Sequence, residues 1–518
     1  MVKKITIDPV TRIEGHLAID VEIENGVVKN AWSRGTMFRG LEVLLKGKDP
    51  RDASYVTDRV CGVCTGSHNW ASSLALDDAF GATVPKGGRL LRHLILGAIW
   101  LHDHPLHFYH LSALDYIDVM AVAQYKGNDE DLNRVKDKIV KLVQAGDPAP
   151  LIPRYKPDEF CVTDPEIVTS AVKHYIDALH FQALAKKMAA IFAGKVPHNS
   201  AIVVGGVTKY PNPQDIQNFI SLFQQVKKFV TEVYVPDVLA FGTGPLLPLA
   251  QAGVGGFNNF MSYGGFQMDD AGTKLLFDPG VVIGGDLNNI KEMNRDLIAE
   301  EVKYAWYKDE PGRHPFNGAT DFVKEKKDAY TWLKAPRYDG LPMEVGPLAR
   351  MMIMKHAPLM KAIETHGIKP GAVARHAARA LETLMIVDAM EQWIDELWTE
   401  MGSGQLKVHD TDNWEVPKEA QGAGLNEAPR GALGHWINIK DHKIENYQMV
   451  VPSTWNQSPR DDRDVRGPME ESLIGCPVPD PDNPINVARI VRSFDPCLSC
   501  AVHIIHPDTN EIKKFRVV

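Results

Sequence analysis

Residues 59–68, RVCGVCTGSH, and residues 493–503, SFDPCLSCAVH, place two Cys-x-x-Cys pairs at opposite ends of the chain: Cys61 with Cys64, and Cys497 with Cys500. Four of the six cysteines fall in these pairs. Thiolates at this spacing grip one soft metal ion together, and two pairs supply four sulfur ligands. More than 400 residues separate the pairs, so a shared metal requires the whole chain to fold around it. A zinc ribbon, by contrast, keeps both pairs close in sequence. Four thiolates alone leave two readings open. One is a closed tetrahedral zinc site that does no chemistry, as in a structural scaffold; the other is a redox metal with an open position.

The chain has 518 residues, 44% of them hydrophobic, which is ample material for a large buried core. Length alone suggests about three domains, but a site that needs both ends argues for one interlocked unit. The formal charge of −9 disfavours nucleic acid or anionic lipid as the main partner. MVKKITIDPVTRIEGH at the start lacks the apolar segment of a secretory signal. No run reaches the roughly 18 apolar residues of a membrane span, so membrane contact is expected only through a partner. Cys161 and Cys476 stand alone and read as ordinary buried or partly buried thiols.

Leu17, Ile19, Val21 and Ile23 alternate with polar residues, which predicts a strand, and Asn25-Gly26 predicts a tight turn into Val27–Trp32. Pro85 suits the start of a helix reaching about Asp103, with Pro105 bending or ending it. Further helices are expected over Asp164–Phe192, Pro213–Tyr234 and Asn289–Trp306. The clearest one covers Gly371–Met401, where Leu381, Leu384, Met385, Met390, Ile394 and Leu397 recur at helical spacing. The Gly-rich stretch from Phe241 to Asp286 reads as surface loops, and after Gly431 the pattern returns to strands. The expected fold is mainly α with small β regions (α+β): a long-helix bundle core with β-hairpins near both termini.

The blocks ITIDPVTRIEGH, FRGLE (Phe38 to Glu42), RVCGVC, HDHPLHFYHLSALD, EVGPLAR, EAPRG, VVPSTWN and DPCLSCAVH occur in that order. This ordered set resembles the large, catalytic subunit of nickel–iron hydrogenases from end to end. The resemblance implies reversible heterolytic cleavage of dihydrogen at a nickel–iron centre. All four cysteines would bind nickel, Cys61 and Cys497 as terminal ligands, with Cys64 and Cys500 also bridging to iron. The iron would carry carbon monoxide and cyanide; Arg430 and Ser453 would hydrogen-bond the cyanide nitrogens, and Pro429 would line the apolar wall. Asp103 would support Arg430, and His68 and Asp495 would tune the thiolates and order water. A third site for magnesium, or iron, would use Glu42, His503 and the backbone carbonyl of Met449.

Without the resemblance, Arg430 would read as a surface salt bridge, Glu42 as a solvated glutamate and Glu14 as an ion-pair residue at a hairpin end. Within it, the Cys497 thiolate is the first choice of base, Arg430 the rival, and Glu14 the outward proton relay. His102, His104, His107 and His110 in HDHPLHFYH read at least as well as satisfied core histidines as they do metal ligands.

The chain has no spare cysteine cluster for electron transfer, so an iron–sulfur small subunit is implied. Family precursors are cut after the histidine of DPCxxCxxH once nickel-insertion factors have acted. Residues 504–518 are therefore expected to be a propeptide removed by a maturation protease. Residues 1–503 would form the catalytic unit, with an N-terminal β region over about 1–58, a helical body over about 85–400 and a C-terminal β/loop region over about 427–503. The branch it resembles implies a periplasmic home shared with the partner, a cytoplasmic one remaining open. A regulatory hydrogen sensor with the same metal site is a further reading, and so is the metal-free relative in quinone-reducing complexes, against which the four cysteines speak.

Overall fold

The alternation over residues 17–24 forms a strand whose apolar side faces a core, and this strand organises the N-terminal end. In the computed structural model, which describes residues 2–152, 155–323 and 325–501, three antiparallel strands run β1 (Lys3–Ile7), β2 (Leu17–Glu24) and β3 (Val27–Gly35). Leu17, Ile19, Val21 and Ile23 are buried. Asn25 and Gly26 both take positive φ, 53° and 74°, as a tight hairpin turn between right-twisted strands demands.

Helix α1 (Ser67–Phe80) follows the first cysteine pair, and α2 (Lys86–Leu106) is buried along almost its whole length. The chain does not stop at Pro105. It passes through Leu106 straight into a π-helical turn, His107–Ser112. Proline removes one backbone donor and its ring crowds the preceding turn; a wider turn relieves both without ending the helix. Helix α3 (Pro165–Ala193) begins where Asp164 accepts from the amides of Glu166 and Ile167, with Pro165 at the first helical position. The expected helix near Pro213–Tyr234 is also present, as Pro213–Phe229 continued by a π turn.

Two expectations fail in the middle of the chain. Within the Gly-rich stretch lies a buried hairpin, β4 (Phe260–Gln267) with β5 (Leu275–Val282), not only surface loops. Its small residues allow close packing, a use of glycine that composition does not separate from loop formation. Asn289–Trp306 is not a helix: Arg295–Leu297 is a short 3-10 turn, and Ile298–Glu301 is a strand paired with Ala335–Tyr338. Ile298 and Glu300 both face inward at period two, and buried Glu300 pairs with Lys334 at 3.2 Å. That tertiary pairing overrides the local helix preference.

Helix α4 (Ala372–Gly402) is the longest helix, as its periodicity predicts. Beyond it, β6 (Glu419–Ala428), β7 (Gly431–Lys440) and β8 (Lys443–Val450) form an antiparallel sheet, followed by α5 (Ile485–Ser493) and the short α6 (Leu498–Ala501). Helix α1 lies against β6 so closely that a Cβ on Gly424 would sit 2.0 Å from the carbonyl oxygen of Ala71. Only glycine permits this approach, and it brings the helix that follows the first cysteine pair onto the C-terminal sheet.

One apolar core is built around α2, α3 and α4. A second joins the N-terminal sheet, β7, β8 and α5, and the four paired cysteines belong to it. Among the described residues no helix is long and apolar enough to cross a membrane.

Candidate metal centre

The two ends of the chain meet through backbone as well as side chains. The amide of Glu14 donates to the carbonyl of Pro496 at 3.2 Å, and the amide of Leu498 donates to the carbonyl of Glu14 at 2.8 Å. Next to this bridge Gly15 has φ 80°, and a Cβ there would lie 2.6 Å from the amide nitrogen of Ser499. Glycine is required on both counts. This short parallel bridge draws the two cysteine loops together.

All four paired cysteines are buried and none forms a disulfide. Cys61 Sγ lies 3.3 Å from Cys497 Sγ, Cys64 Sγ lies 3.3 Å from Cys500 Sγ, and Cys497 and Cys500 are 3.0 Å apart. The four sulfurs lie within 4.8 Å of one another, the only group of three or more candidate metal ligands of this kind among the described residues. Hydrogen bonds from its sulfur neighbours, Cys497 first, hold the Cys61 thiol well below its usual range, while burial pushes Cys497 and Cys500 well above it. Four thiolates cannot share so dry a space without added positive charge.

Arg430, which borders the same cavity as three of the sulfurs, supplies such a charge. It sits with Pro429 in the two-residue turn between β6 and β7. Its Nη1 donates to Asp103 Oδ2 at 3.1 Å, its Nη2 to Asp495 Oδ1 at 3.0 Å and its Nε to the Asp495 carbonyl at 3.1 Å. Burial opposes the charge, but Asp495, Cys497 and Asp103 outweigh it and hold the guanidinium well above its usual range. A guanidinium so held is a fixed cation and a poor base. Lys186, not singled out by sequence, adds a second cation whose Nζ donates to the carbonyl of Val63 at 3.0 Å. Burial lowers its pKa, with Asp103, Cys64 and Cys61 pulling the other way.

A small cavity touches the sulfurs; Cys64, His68, Arg430, Ser453, Cys497 and Cys500 border it. Ser453 Oγ accepts from the Cys497 amide at 2.9 Å, which leaves its hydroxyl proton available to a ligand. The apolar wall consists of Ala428, Leu433 and Pro452. Pro429 is buried, but it is not among the residues bordering the cavity; its carbonyl accepts from Arg350 Nη2 at 3.1 Å. The soft donor set, the adjoining cavity and the donors on its rim fit a soft metal centre carrying further small ligands.

Glu14 Oε2 accepts from the Cys497 thiol at 3.2 Å and from the Ser499 amide at 2.9 Å. Burial, and then the nearby Cys61 charge, raise its pKa. Glu42 is buried too: its carboxylate accepts from the Met449 amide at 2.8 Å and from the Thr320 hydroxyl. Close by, Lys334 Nζ donates to Gln448 Oε1 at 2.7 Å. His503 lies outside the described residues, as does the expected propeptide.

The four histidines of HDHPLHFYH are occupied. His102 pairs with Asp103 at 2.7 Å, His104 with Glu382 at 2.8 Å, His107 with the Arg492 carbonyl at 2.7 Å and His110 with the Tyr175 carbonyl at 3.0 Å. Burial lowers the pKa of each.

A family profile described as nickel-dependent hydrogenase matches residues 39–503, and one described as HoxL-like matches residues 4–33. The periplasmic [NiFeSe] hydrogenase large subunit of Desulfomicrobium baculatum is 39% identical, covering 98% of this chain and 96% of its own length. The uptake hydrogenase large subunit of Bradyrhizobium diazoefficiens is 37% identical, covering 99% and 97%. The solved Ni-Fe-Se hydrogenase from D. vulgaris Hildenborough, in its reduced state, superposes with a TM-score of 0.85 at 40% identity, covering 97% of this chain and all of that one. Fold and site thus define a metal-dependent oxidoreductase acting on dihydrogen. The chain belongs to the nickel-dependent hydrogenase family, as a large, catalytic subunit.

Proposed function

We propose that Cys61, Cys64, Cys497 and Cys500 hold a nickel–iron centre, with Cys61 and Cys497 terminal on nickel and Cys64 and Cys500 shared with an iron bearing carbon monoxide and cyanide. When bound, such a centre supplies the Lewis acidity that polarises dihydrogen for heterolytic cleavage. The observation that carries the reading is the gathering of four buried sulfurs from both ends of the chain within 4.8 Å.

The Cys497 sulfur takes up the proton and passes it to Glu14 Oε2, 3.2 Å away, whose raised pKa suits a relay. Arg430 contributes as a fixed positive charge beside the sulfurs, anchored by Asp103 and Asp495. Arg430 and Ser453 offer donors to the cyanide nitrogens, and His68 and Asp495 tune the thiolates. Glu42, the Met449 carbonyl and His503 hold magnesium or iron at a separate site; the buried Glu42 carboxylate beside Met449 supports this.

Electrons leave through an iron–sulfur small subunit, since Cys161 and Cys476 are too isolated to hold a cluster. Residues 504–518 are a propeptide cut after His503 by a maturation protease once nickel-insertion factors have acted, and residues 1–503 form one catalytic unit. The family match, which ends at residue 503, supports that boundary. The name of the D. baculatum relative supports a periplasmic location.

Infrared absorption of the purified complex tests the reading. Bands in the window of metal-bound carbon monoxide and cyanide are expected; their absence, with zinc in place of nickel, would exclude it.

A further inference from the structure

The block EVGPLAR, Glu344 to Arg350, contributes no residue to the sulfur cluster or to the cavity rim, yet it grips two segments that do. Arg350, on the short helix Pro347–Ile353, is fully buried. Its Nε and Nη2 donate to the two oxygens of Glu382 at 2.9 and 2.7 Å, and its Nη1 donates to Glu427 Oε2 at 2.5 Å. Its two remaining N–H groups go to backbone: Nη1 to the carbonyl of Ala428 and Nη2 to that of Pro429, each at 3.1 Å. A guanidinium has five donors, and all of them are used.

Those two carbonyls immediately precede Arg430. Gly346 packs against the same turn: its φ is 114°, and a Cβ there would lie 2.6 Å from the Arg430 carbonyl oxygen. Val345, the next residue back, reaches the second segment. Its amide donates to Asn456 Oδ1 and its carbonyl accepts from Asn456 Nδ2, both at 3.0 Å. Asn456 is buried at the end of the helix Pro452–Asn456, which carries Ser453.

We propose that Arg350 and Asn456 are positioning residues: through them the EVGPLAR segment fixes Arg430 and Ser453 relative to each other, as a pair of donors for the cyanide ligands of the iron. The inference rests on the proposal that the four cysteines hold a nickel–iron centre with such ligands.

Stability alone does not explain the arrangement. A buried ion group roughly breaks even against apolar packing, because desolvation cancels most of the attraction. Its use here is geometric. The planar guanidinium ties two carboxylates and two carbonyls to one rigid plane, so the turn cannot rotate without breaking a charge-assisted bond. Asp103 and Asp495 hold the Arg430 guanidinium, and Arg350 holds the backbone from which it springs. Val345 and Gly346 are adjacent, so the turn and the Ser453 helix are both registered against one stretch of backbone. Donors that must meet small ligands need placement to within about 0.5 Å.

The test uses the assembled holoenzyme, read by nickel content, infrared spectroscopy and kinetics. Arg350→Lys keeps the charge and loses the fork. It should keep its nickel, shift the cyanide bands and lower kcat about 10-fold with KM for dihydrogen unchanged. Added to Arg430→Lys, the same substitution should cost less than about 2-fold more, because it acts through Arg430. Wild-type bands in Arg350→Lys, or an equal loss of kcat in both backgrounds, would overturn the inference, whatever happens to Tm. If Arg350→Lys does not assemble, Asn456→Ala decides: its cyanide bands should shift, and should shift no further when added to Ser453→Ala. Wild-type bands in Asn456→Ala would overturn the inference equally. A wild-type enzyme without these bands would instead remove the nickel–iron reading beneath it.

Discussion

The Glu14 carboxylate and the Cys497 thiol meet at 3.2 Å across 483 residues of chain. Backbone hydrogen bonds on both sides of Glu14 pin that contact, so it is part of the fold and not a chance approach of two long side chains.

Glu14→Gln keeps the size and an acceptor oxygen but cannot carry a proton. Dihydrogen oxidation with an artificial dye should fall at least about 100-fold, while metal content and infrared bands stay as in the wild type. Loss of nickel in this variant would instead assign Glu14 to structure.

Gly15→Ala forces a side chain into left-handed backbone and within 2.6 Å of the Ser499 amide. The two ends should separate locally, costing about 2–4 kcal/mol. The purified variant should retain its helical circular dichroism but hold little nickel.

Arg430→Lys preserves the charge and loses the fork that reaches Asp103 and Asp495 together. Activity should drop about 10- to 100-fold, with shifted cyanide bands at unchanged nickel content. Unshifted bands would argue that Arg430 does not touch the iron ligands.

The Asp58 carboxyl, which accepts from the Gly66 amide at 2.8 Å, is pushed up to about 7, mainly by burial. The folded chain therefore holds this proton more tightly than the unfolded chain, whose value is about 3.9. Its contribution to stability is full below about pH 4 and is lost as pH rises through about 7. Asp58→Asn cannot ionise, so its thermal midpoint should exceed that of wild type at pH 8 by the equivalent of at most about 4 kcal/mol, and match it near pH 4. Equal midpoints at both values would contradict the burial argument.

Intact mass of the active large subunit should correspond to residues 1–503. Full activity with residues 504–518 retained would end the propeptide proposal.

The strand at 17–24, the turn at Asn25-Gly26 and the long helices near 165–193 and 372–402 were legible because local periodicity and burial agree there. The 298–301 strand was not, because its partner lies at 335–338 and its inward Glu300 depends on Lys334. The cysteines, Glu14, Arg430 and Glu42 stood out through ordered motifs. His435, whose Nε2 lies 3.0 Å from His68 Nδ1, carried no signal of its own: a histidine inside an amphipathic strand looks like an ordinary sheet residue. Lys186 was hidden in the same way, as one of several polar residues along α3 and next to a second lysine, Lys187.

Crystals of the purified complex, measured with X-rays on either side of the nickel and iron absorption edges, give the most direct trial. One nickel and one iron peak among Cys61, Cys64, Cys497 and Cys500 are expected. A single zinc peak there, or no metal at all, would contradict a hydrogen-cleaving centre built from the two ends of this chain.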